Sequence, residues 1–239
     1  MTQNISSRRQ AMHGAVLAAV MTAGAALPSL AAAETAAQAA KGKPARQADA
    51  RKVALPEISD VDMKRLIANS FTSKGPATIQ GVIERDQMQT LCSEYPDRSR
   101  VPEKVARQIE AAEQKNIRYP EDGRWLGDWK AGEQVAQNGR GMQFSDKVGG
   151  TNGGNCYACH QMTKAEISFG NIGPSLYQYG KLRGNSEAVL RYTWGKIWDS
   201  SAFAACSNMP RFGHKGILTE QQIRDVMALL LDPASPVNQ

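Results

Sequence analysis

A short motif of two cysteines and a histidine is the part of this sequence best suited to chemistry. Cys156, Cys159 and His160 form the pattern C-x-x-C-H, which is typical of covalent haem attachment. Residues three and four apart on a helical turn share a face, so both thiols can reach the two vinyl groups on one side of a porphyrin. The histidine follows at once and can place its imidazole under the iron. The motif therefore predicts one haem c, bound covalently through the two cysteines, with His160 as an axial iron ligand.

Two other kinds of site share part of this pattern. A thioredoxin-like redox pair needs only C-x-x-C and has no use for the histidine, and a zinc site needs two further ligands. The remaining cysteines, Cys92 and Cys206, are each distant in the sequence. We therefore favour haem attachment over either alternative.

The second axial ligand must come from elsewhere in the C-terminal part of the chain. The candidates are Met162, Met209, His214 and Met227. Met162 follows His160 too closely to reach the opposite face of the iron, and Met227 lies on the apolar side of the last predicted helix, which favours a core position. A thioether from the irregular loop that contains Met209 would favour reduced iron and raise the potential. We expect Met209 to be the sixth ligand, with His214 or an open iron position as the alternatives.

The N-terminus (residues 1–33) has the features of an export signal. Arg8 and Arg9 precede an uncharged run over residues 11–30, and three alanines ending at Ala33 provide a cleavage site. The run is too short and too rich in alanine to favour a membrane span, although a retained anchor is the alternative. The arginine pair also fits a twin-arginine signal, but attachment of haem to an unfolded chain suits general secretion better. We expect a periplasmic protein with a cleaved signal peptide.

The two cysteines outside the haem motif are free to pair in an oxidising compartment. We expect a disulfide between Cys92 and Cys206, which would join the extension to the ligand loop three residues before Met209. Closing so long a loop is worth roughly 4–5 kcal/mol in the chain-entropy model. Free thiols, or a bond to a partner protein, are the alternatives.

Composition divides the mature chain into three parts. Hydrophobic residues make up 41% and charged residues 22% of the 239 residues, and a net charge of +6 does not indicate a nucleic-acid binder. A leader at residues 34–55 is poor in large apolar side chains and is expected to be flexible. An irregular, mainly helical extension occupies residues 56–124. The haem motif belongs to the third part, residues 125–239.

Capping and periodicity signals predict three helices. A proline precedes a helix over residues 103–116. Asp128 can cap a second helix over residues 129–138. Thr219 and Gln222 form a capping box at the start of the last helix. The haem motif and its long loop lie between the second and the last of these helices.

Several longer stretches resemble the SoxX family, the monohaem cytochrome subunits of the SoxAX complex of thiosulfate oxidation. The resemblance covers the chain from about Asn69 onward. It is carried by residues 122–124, 127–129, 139–141, 153–156, 172–176, 206–213 and 218–233. The haem motif is common to all c-type cytochromes, whereas the loop containing Met209 and the C-terminal run are much more specific. The leader at residues 34–55 has no clear counterpart.

The resemblance implies a fold, a set of partners and a role. The fold is an all-α class I cytochrome c domain with an irregular helical extension, in which the Pro174 carbonyl accepts the Nδ1 proton of His160. The partners are a SoxA-type subunit in a heterodimer, the carrier protein SoxYZ and a small soluble cytochrome c. The SoxA subunit carries the catalytic centre of the complex, an L-cysteine S-thiosulfotransferase. This chain would then be a non-catalytic, electron-accepting subunit, with neither nucleic acid nor membrane as a partner after processing.

Two other functions remain open from the sequence. A free electron shuttle needs only the haem domain, so the extension before residue 125 counts against it. A haem enzyme or gas sensor needs an open iron position, which a methionine ligand would close. Lys196, Arg211 and Lys215 are expected near the exposed haem edge, where they either steer an acidic partner or are ordinary surface charge.

Overall fold

The computed structural model describes residues 58–95 and 97–239. The predicted signal peptide (residues 1–33) and leader (residues 34–55) lie outside the described residues. Residues 57–239 form one compact unit.

Eight α-helices lie in the described residues: α1 (Asp60–Ser70), α2 (Ile79–Ile83), α3 (Gln87–Ser93), α4 (Glu103–Glu113), α5 (Trp129–Gln137), α6 (Tyr179–Arg183), α7 (Glu187–Trp198) and α8 (Glu220–Leu231). Short 3₁₀ turns lie at Arg98–Arg100, Gln114–Asn116, Cys156–Ala158, Ser200–Ala202 and Pro236–Asn238. This part of the chain has no β-sheet, only an isolated bridge between Lys74 and Ala77. None of its helices is long and apolar enough to cross a bilayer. The predicted all-α fold is confirmed.

Helices α5 and α8 cross in close contact. At the crossing, a Cβ atom on Gly132 would lie 2.1 Å from the carbonyl oxygen of Asp225, so only a glycine permits this approach. Just before α5, the backbone N–H of Gly127 donates to the carbonyl of Arg224 at 2.9 Å. The N–H of Asp128 donates to Oδ1 of Asp225, also at 2.9 Å. The start of α5 is therefore bonded directly to the middle of α8.

The predicted starts of both helices are confirmed. The Asp128 carboxylate accepts a hydrogen bond from the N–H of Lys130 at 2.9 Å, which caps α5. The capping box of Thr219 and Gln222 is present at the start of α8. These side chains satisfy N–H groups that have no partner inside the helix, which is why the local sequence sets both helix starts.

The predicted helix over residues 103–116 is shorter in the structure. Helix α4 ends at Glu113, and the last three residues form a 3₁₀ turn. In that turn the side chain of Gln114 donates to the carbonyl of Ala202 at 2.6 Å. A contact with a distant part of the chain therefore holds this helix end.

The main core surrounds α8 and the haem motif. Met162 and Met227 lie within it, with exposed fractions of 1% and 0%. The predicted core position of Met227 is therefore confirmed. The other buried side chains of this core are those of Ile117, Val135, Ala136, Tyr157, Tyr179, Trp194, Ile197, Ala202, Phe212, Leu218, Ile223, Val226, Leu229, Leu230, Leu231 and Val237.

The extension packs on α7 through two tryptophans. The indole N–H of Trp194 donates to the carbonyl of Arg118 at 2.8 Å. The indole N–H of Trp198 donates to the carbonyl of Asn116 at 3.0 Å. The end of the extension is thus bonded to the haem-motif part of the chain, and the boundary predicted between residues 124 and 125 stays a prediction.

Candidate haem-attachment site

The haem motif forms a single turn of 3₁₀ helix. The backbone N–H of Cys159 donates to the carbonyl of Cys156 at 3.1 Å, and the N–H of His160 donates to the same carbonyl at 2.9 Å. Both cysteines are half-buried free thiols. Burial raises the pKa of the Cys156 thiol to about 12, so this thiol is neutral. The turn therefore presents two unpaired thiols, followed directly by an imidazole.

The imidazole of His160 is held by two residues of one loop. Its Nδ1 atom lies 2.7 Å from the carbonyl oxygen of Pro174, so Nδ1–H is the donor and Nε2 takes no part in this bond. A Cβ atom on Gly173 would lie 2.2 Å from Cε1 of the ring, so the backbone of that loop lies flat against the imidazole. A histidine bound in this way has a fixed tautomer and a fixed ring plane, which is what an iron ligand needs.

Three backbone hydrogen bonds hold that loop against the motif. They run from Gly170 to the carbonyl of Tyr157 at 2.9 Å, from Gly173 to that of Cys159 at 2.8 Å, and from Leu176 to that of Gln161 at 2.7 Å. The loop is thus paired with the motif over most of its length. Two free thiols can form the thioether bonds to a haem, and the imidazole can bind its iron, so the described residues fit haem c.

Met209 lies in a loop that is bonded to the end of α7. Its carbonyl accepts a hydrogen bond from Oγ of Ser200 at 2.5 Å, and its N–H donates to Oγ of Ser207 at 3.2 Å. Its half-buried side chain contacts the main core and lines a cleft of about 760 Å³ next to α2 and α3. The described contacts do not join Met209 to His160, so its role as sixth ligand stays a prediction.

The other ligand candidates have different surroundings. Met162 and Met227 are enclosed in the main core. His214 is partly buried, and its Nδ1 atom lies 3.4 Å from Oδ2 of Asp199. This histidine therefore faces a buried carboxylate.

A disulfide joins Cys92 of α3 to Cys206, with the two Cα atoms 5.5 Å apart. This is the disulfide predicted from the sequence, and the structure confirms it. Around it lies a second, small apolar cluster that includes Met88 and Ile109. The N–H of Ala205 also donates to Oε1 of Glu110 at 3.1 Å. The extension is therefore fastened to the chain just before Met209 by a covalent bond and by packing.

Lys196, Arg211 and Lys215 are the basic residues expected as exposed charges near the haem edge, and that expectation is wrong for Arg211. Its side chain is only 5% exposed, and its guanidinium contacts Oε2 of Glu113 at 3.0 Å and Oδ2 of Asp86 at 2.5 Å. Lys215 reaches the same oxygen of Asp86 at 2.6 Å. The half-buried ammonium of Lys196 donates to the carbonyl of Ser200 at 3.1 Å, which holds it within its own chain.

These ion pairs also explain the acidity of Asp86. Burial alone would raise the pKa of its carboxyl, but hydrogen bonds from Lys215, from the backbone of Gln89 and from Arg211 hold that pKa well below its usual range. Carboxylates of the extension therefore pair with both cations of the Met209 loop, and they enclose Arg211.

A second carboxylate and an imidazole complete this buried network. Asp199 is fully buried; its Oδ1 accepts from the N–H of Ser201 at 3.1 Å, and its Oδ2 accepts no hydrogen bond from the described residues. Burial first, and then the Glu113 carboxylate, raise the pKa of Asp199 to about 7. Burial first, and then Arg211, lower the pKa of His214. No sequence motif indicates this cluster, because its members are far apart in the chain.

Two comparisons with known proteins bear on the site. A family model described as cytochrome c matches residues 129–232. A protein of Aquifex aeolicus (strain VF5) called "Uncharacterized lipoprotein" is 43% identical over 124 residues, which are 52% of this chain and 58% of that protein. The chain thus spans little more than half the length of this relative.

The family match covers the chain from the start of α5 to the end of α8. It begins at the first residue of α5 and ends one residue after α8, so it includes the haem motif, its loop and Met209. Cytochromes c carry haem c bound through the cysteines of a C-x-x-C-H motif. Residues 129–232 of this chain are therefore a cytochrome c domain.

Proposed function

We propose that this chain is the electron-accepting subunit of an exported, thiosulfate-oxidising complex. Electron transfer is the general role of a cytochrome c domain. The observation that carries the finer proposal is the extension, which is packed on α7 and bonded through Cys92 and Cys206 to the loop of Met209. A free electron shuttle has no need of such an addition, whereas a subunit of a complex can use it as surface for its partner.

The oxidation itself would take place on a SoxA-type partner. There a thiol of the SoxYZ carrier and the outer sulfur of thiosulfate form one S–S bond, and one proton and two electrons are released. Haem c, when bound, supplies a one-electron carrier. The two electrons would therefore pass through this chain one at a time, on to a small soluble cytochrome c.

An exported location supports this proposal. The Cys92–Cys206 disulfide is typical of an oxidising compartment. The relative from Aquifex aeolicus is called a lipoprotein, which agrees with export. We place the mature chain in the periplasm, after cleavage of the signal peptide at Ala33.

Affinity capture from the native periplasm tests the proposal. The mature holoprotein carries a tag, and an unrelated periplasmic cytochrome c with the same tag is the control. We expect a second c-type cytochrome in a 1:1 ratio with this chain only. The captured pair should then reduce an added soluble cytochrome c when thiosulfate and a carrier protein with a free thiol are both present.

Two results would contradict the proposal. A chain captured alone, which still exchanges electrons with other cytochromes, would identify a free shuttle. A captured pair that transfers no electrons from thiosulfate would support the subunit role but would exclude thiosulfate as the substrate.

A further inference from the structure

A cluster of potential ligands lies where α4 meets the segment between α7 and α8. We propose that Glu113, Asp199 and His214 bind a divalent transition-metal cation such as Zn²⁺. One ligand atom from each residue lies within 4.8 Å of the other two. The side chains are 10%, 0% and 22% exposed, respectively. Such a site is separate from the haem motif and from its iron ligand His160.

The distance between two of these atoms fits a metal better than it fits a hydrogen bond. His214 Nδ1 and Asp199 Oδ2 are 3.4 Å apart, whereas a charge-assisted hydrogen bond is roughly 2.7–2.9 Å long. Two ligands that bind zinc at about 2.0–2.1 Å with a tetrahedral angle are themselves about 3.4 Å apart. The Oδ2 atom is buried and accepts no hydrogen bond from the described residues, so it is available for a ligand.

The charges of the network leave one carboxylate without compensation. Arg211 lies between Asp86 and Glu113, and Lys215 also pairs with Asp86. Two cations thus neutralise two carboxylates, and Asp199 is left over. A buried carboxylate is costly unless a positive charge accompanies it. A proton or a metal cation must supply that charge.

The remaining donors favour a metal cation over a proton. A proton on Asp199 can bridge to only one neighbour, Glu113 or His214, whereas a metal cation would bond to all three side chains at once. Asn116 Nδ2 and Arg211 Nη1 both donate to Oε2 of Glu113, so a cation would bind the other oxygen, Oε1. Two carboxylate oxygens and one imidazole nitrogen form a ligand set that Zn²⁺ accepts, with water as a fourth ligand.

A cation at this position would connect elements that carry the predicted haem ligand loop. Glu113 ends α4, whereas Asp199 and His214 flank the segment that contains Met209. Ser200, next to Asp199, holds the Met209 carbonyl. The cation would therefore fasten the loop to the extension, close to the disulfide that does the same.

Zinc titration of the mature holoprotein tests the proposal. The protein is first freed of metal ions with a chelator and is then titrated with zinc chloride in a calorimeter at neutral pH. We expect one zinc per chain and a higher unfolding temperature with zinc. The sequence has three histidines, and His13 leaves with the signal peptide, so few other zinc ligands compete. The haem absorption spectrum should not change, because zinc binds away from the iron.

Three variants make the result specific. Asp199→Asn and His214→Gln should each weaken zinc binding at least tenfold, and the exposed Asp60→Asn should leave it unchanged. If Asp199→Asn does not fold, His214→Gln decides the test. Absence of zinc binding by the wild type, or equal binding by His214→Gln, would overturn the proposal and would assign the positive charge beside Asp199 to a proton.

Discussion

At the residue scale, the imidazole of His160 depends on two neighbours that come from the same loop. The Pro174 carbonyl accepts from Nδ1 at 2.7 Å, and the backbone at Gly173 lies against the ring. An acceptor at Nδ1 raises the basicity of Nε2 and fixes its direction. Any change that displaces this loop should therefore disturb the predicted bond between the imidazole and iron.

Gly173→Ala should damage the site without removing any functional group. The added Cβ would lie 2.2 Å from Cε1 of His160, so either the ring or the loop must move. We expect less attached haem per chain and a loss of about 1–3 kcal/mol in the free energy of unfolding of the holoprotein. Gly81→Ala is the control, since its Cβ would lie 3.3 Å from Oγ1 of Thr78. Equal haem content in the two variants, measured by pyridine haemochrome, would contradict this prediction.

Met209→Ala tests the predicted sixth ligand. The wild-type holoprotein should not bind carbon monoxide, whereas the variant should bind it and should have a lower reduction potential, because a thioether favours reduced iron. The measurements are absorption spectra under carbon monoxide and a redox titration. Met142→Ala is the matched control and should change neither result, because the Met142 side chain is exposed. Ready binding of carbon monoxide by the wild type would exclude Met209 as a ligand.

At the scale of elements, the crossing of α5 and α8 depends on one glycine. Gly132→Ala would place a Cβ atom 2.1 Å from the carbonyl oxygen of Asp225, and helix backbones cannot yield as side chains do. We expect the free energy of unfolding of this variant to fall by about 1–3 kcal/mol. Urea unfolding of the holoprotein measures the change. Gly81→Ala in α2 again serves as the control. An unchanged unfolding midpoint for Gly132→Ala would mean that the helices separate at little cost.

At the scale of the whole molecule, the disulfide joins two segments that lie far apart in the chain. Cys92 and Cys206 are 114 residues apart, and a bond between them restricts the unfolded chain strongly. The double variant Cys92→Ser, Cys206→Ser should therefore lose roughly 2–5 kcal/mol in the free energy of unfolding. Urea unfolding of the oxidised holoproteins gives the comparison. If the midpoints coincide, the non-covalent contacts of the extension hold it without the disulfide.

Stability should also depend on pH through the buried network that joins the extension to the haem domain. The folded-state pKa of Asp199 is raised from 3.8 to about 7, so its contribution is present at low pH and is lost as the pH rises through 7. His214 has a lowered pKa and acts in the opposite direction, but only below its ordinary value of 6.5.

Between pH 6.5 and 8, therefore, the effect of Asp199 should dominate. In the presence of a chelator, the unfolding temperature of the wild-type holoprotein should fall over this range. Asp199→Asn cannot lose a proton and should remove that fall. Thermal unfolding followed by circular dichroism gives the two profiles. Parallel profiles for the two proteins would show that another group titrates.

The sequence alone determined those features that depend on residues close together in the chain. The cysteines and histidine of the haem motif lie within one turn, and the caps Asp128 and Thr219 act on N–H groups two or three residues away. Hydrogen bonding and helical spacing are local, so such features can be predicted with no knowledge of the fold. The hydrogen bond between His160 and Pro174 spans a longer loop and was expected from the family resemblance alone.

Features that depend on contacts between distant segments of the chain were decided only by the tertiary structure. Arg211 was expected at the surface, yet it is buried because Asp86 and Glu113 of the extension reach it. The cluster around Asp199 has no sequence pattern for the same reason. The close crossing at Gly132 depends on a carbonyl of α8, almost a hundred residues later. Burial, charge compensation and steric contact are properties of the assembled fold, and no local spacing in the chain records them.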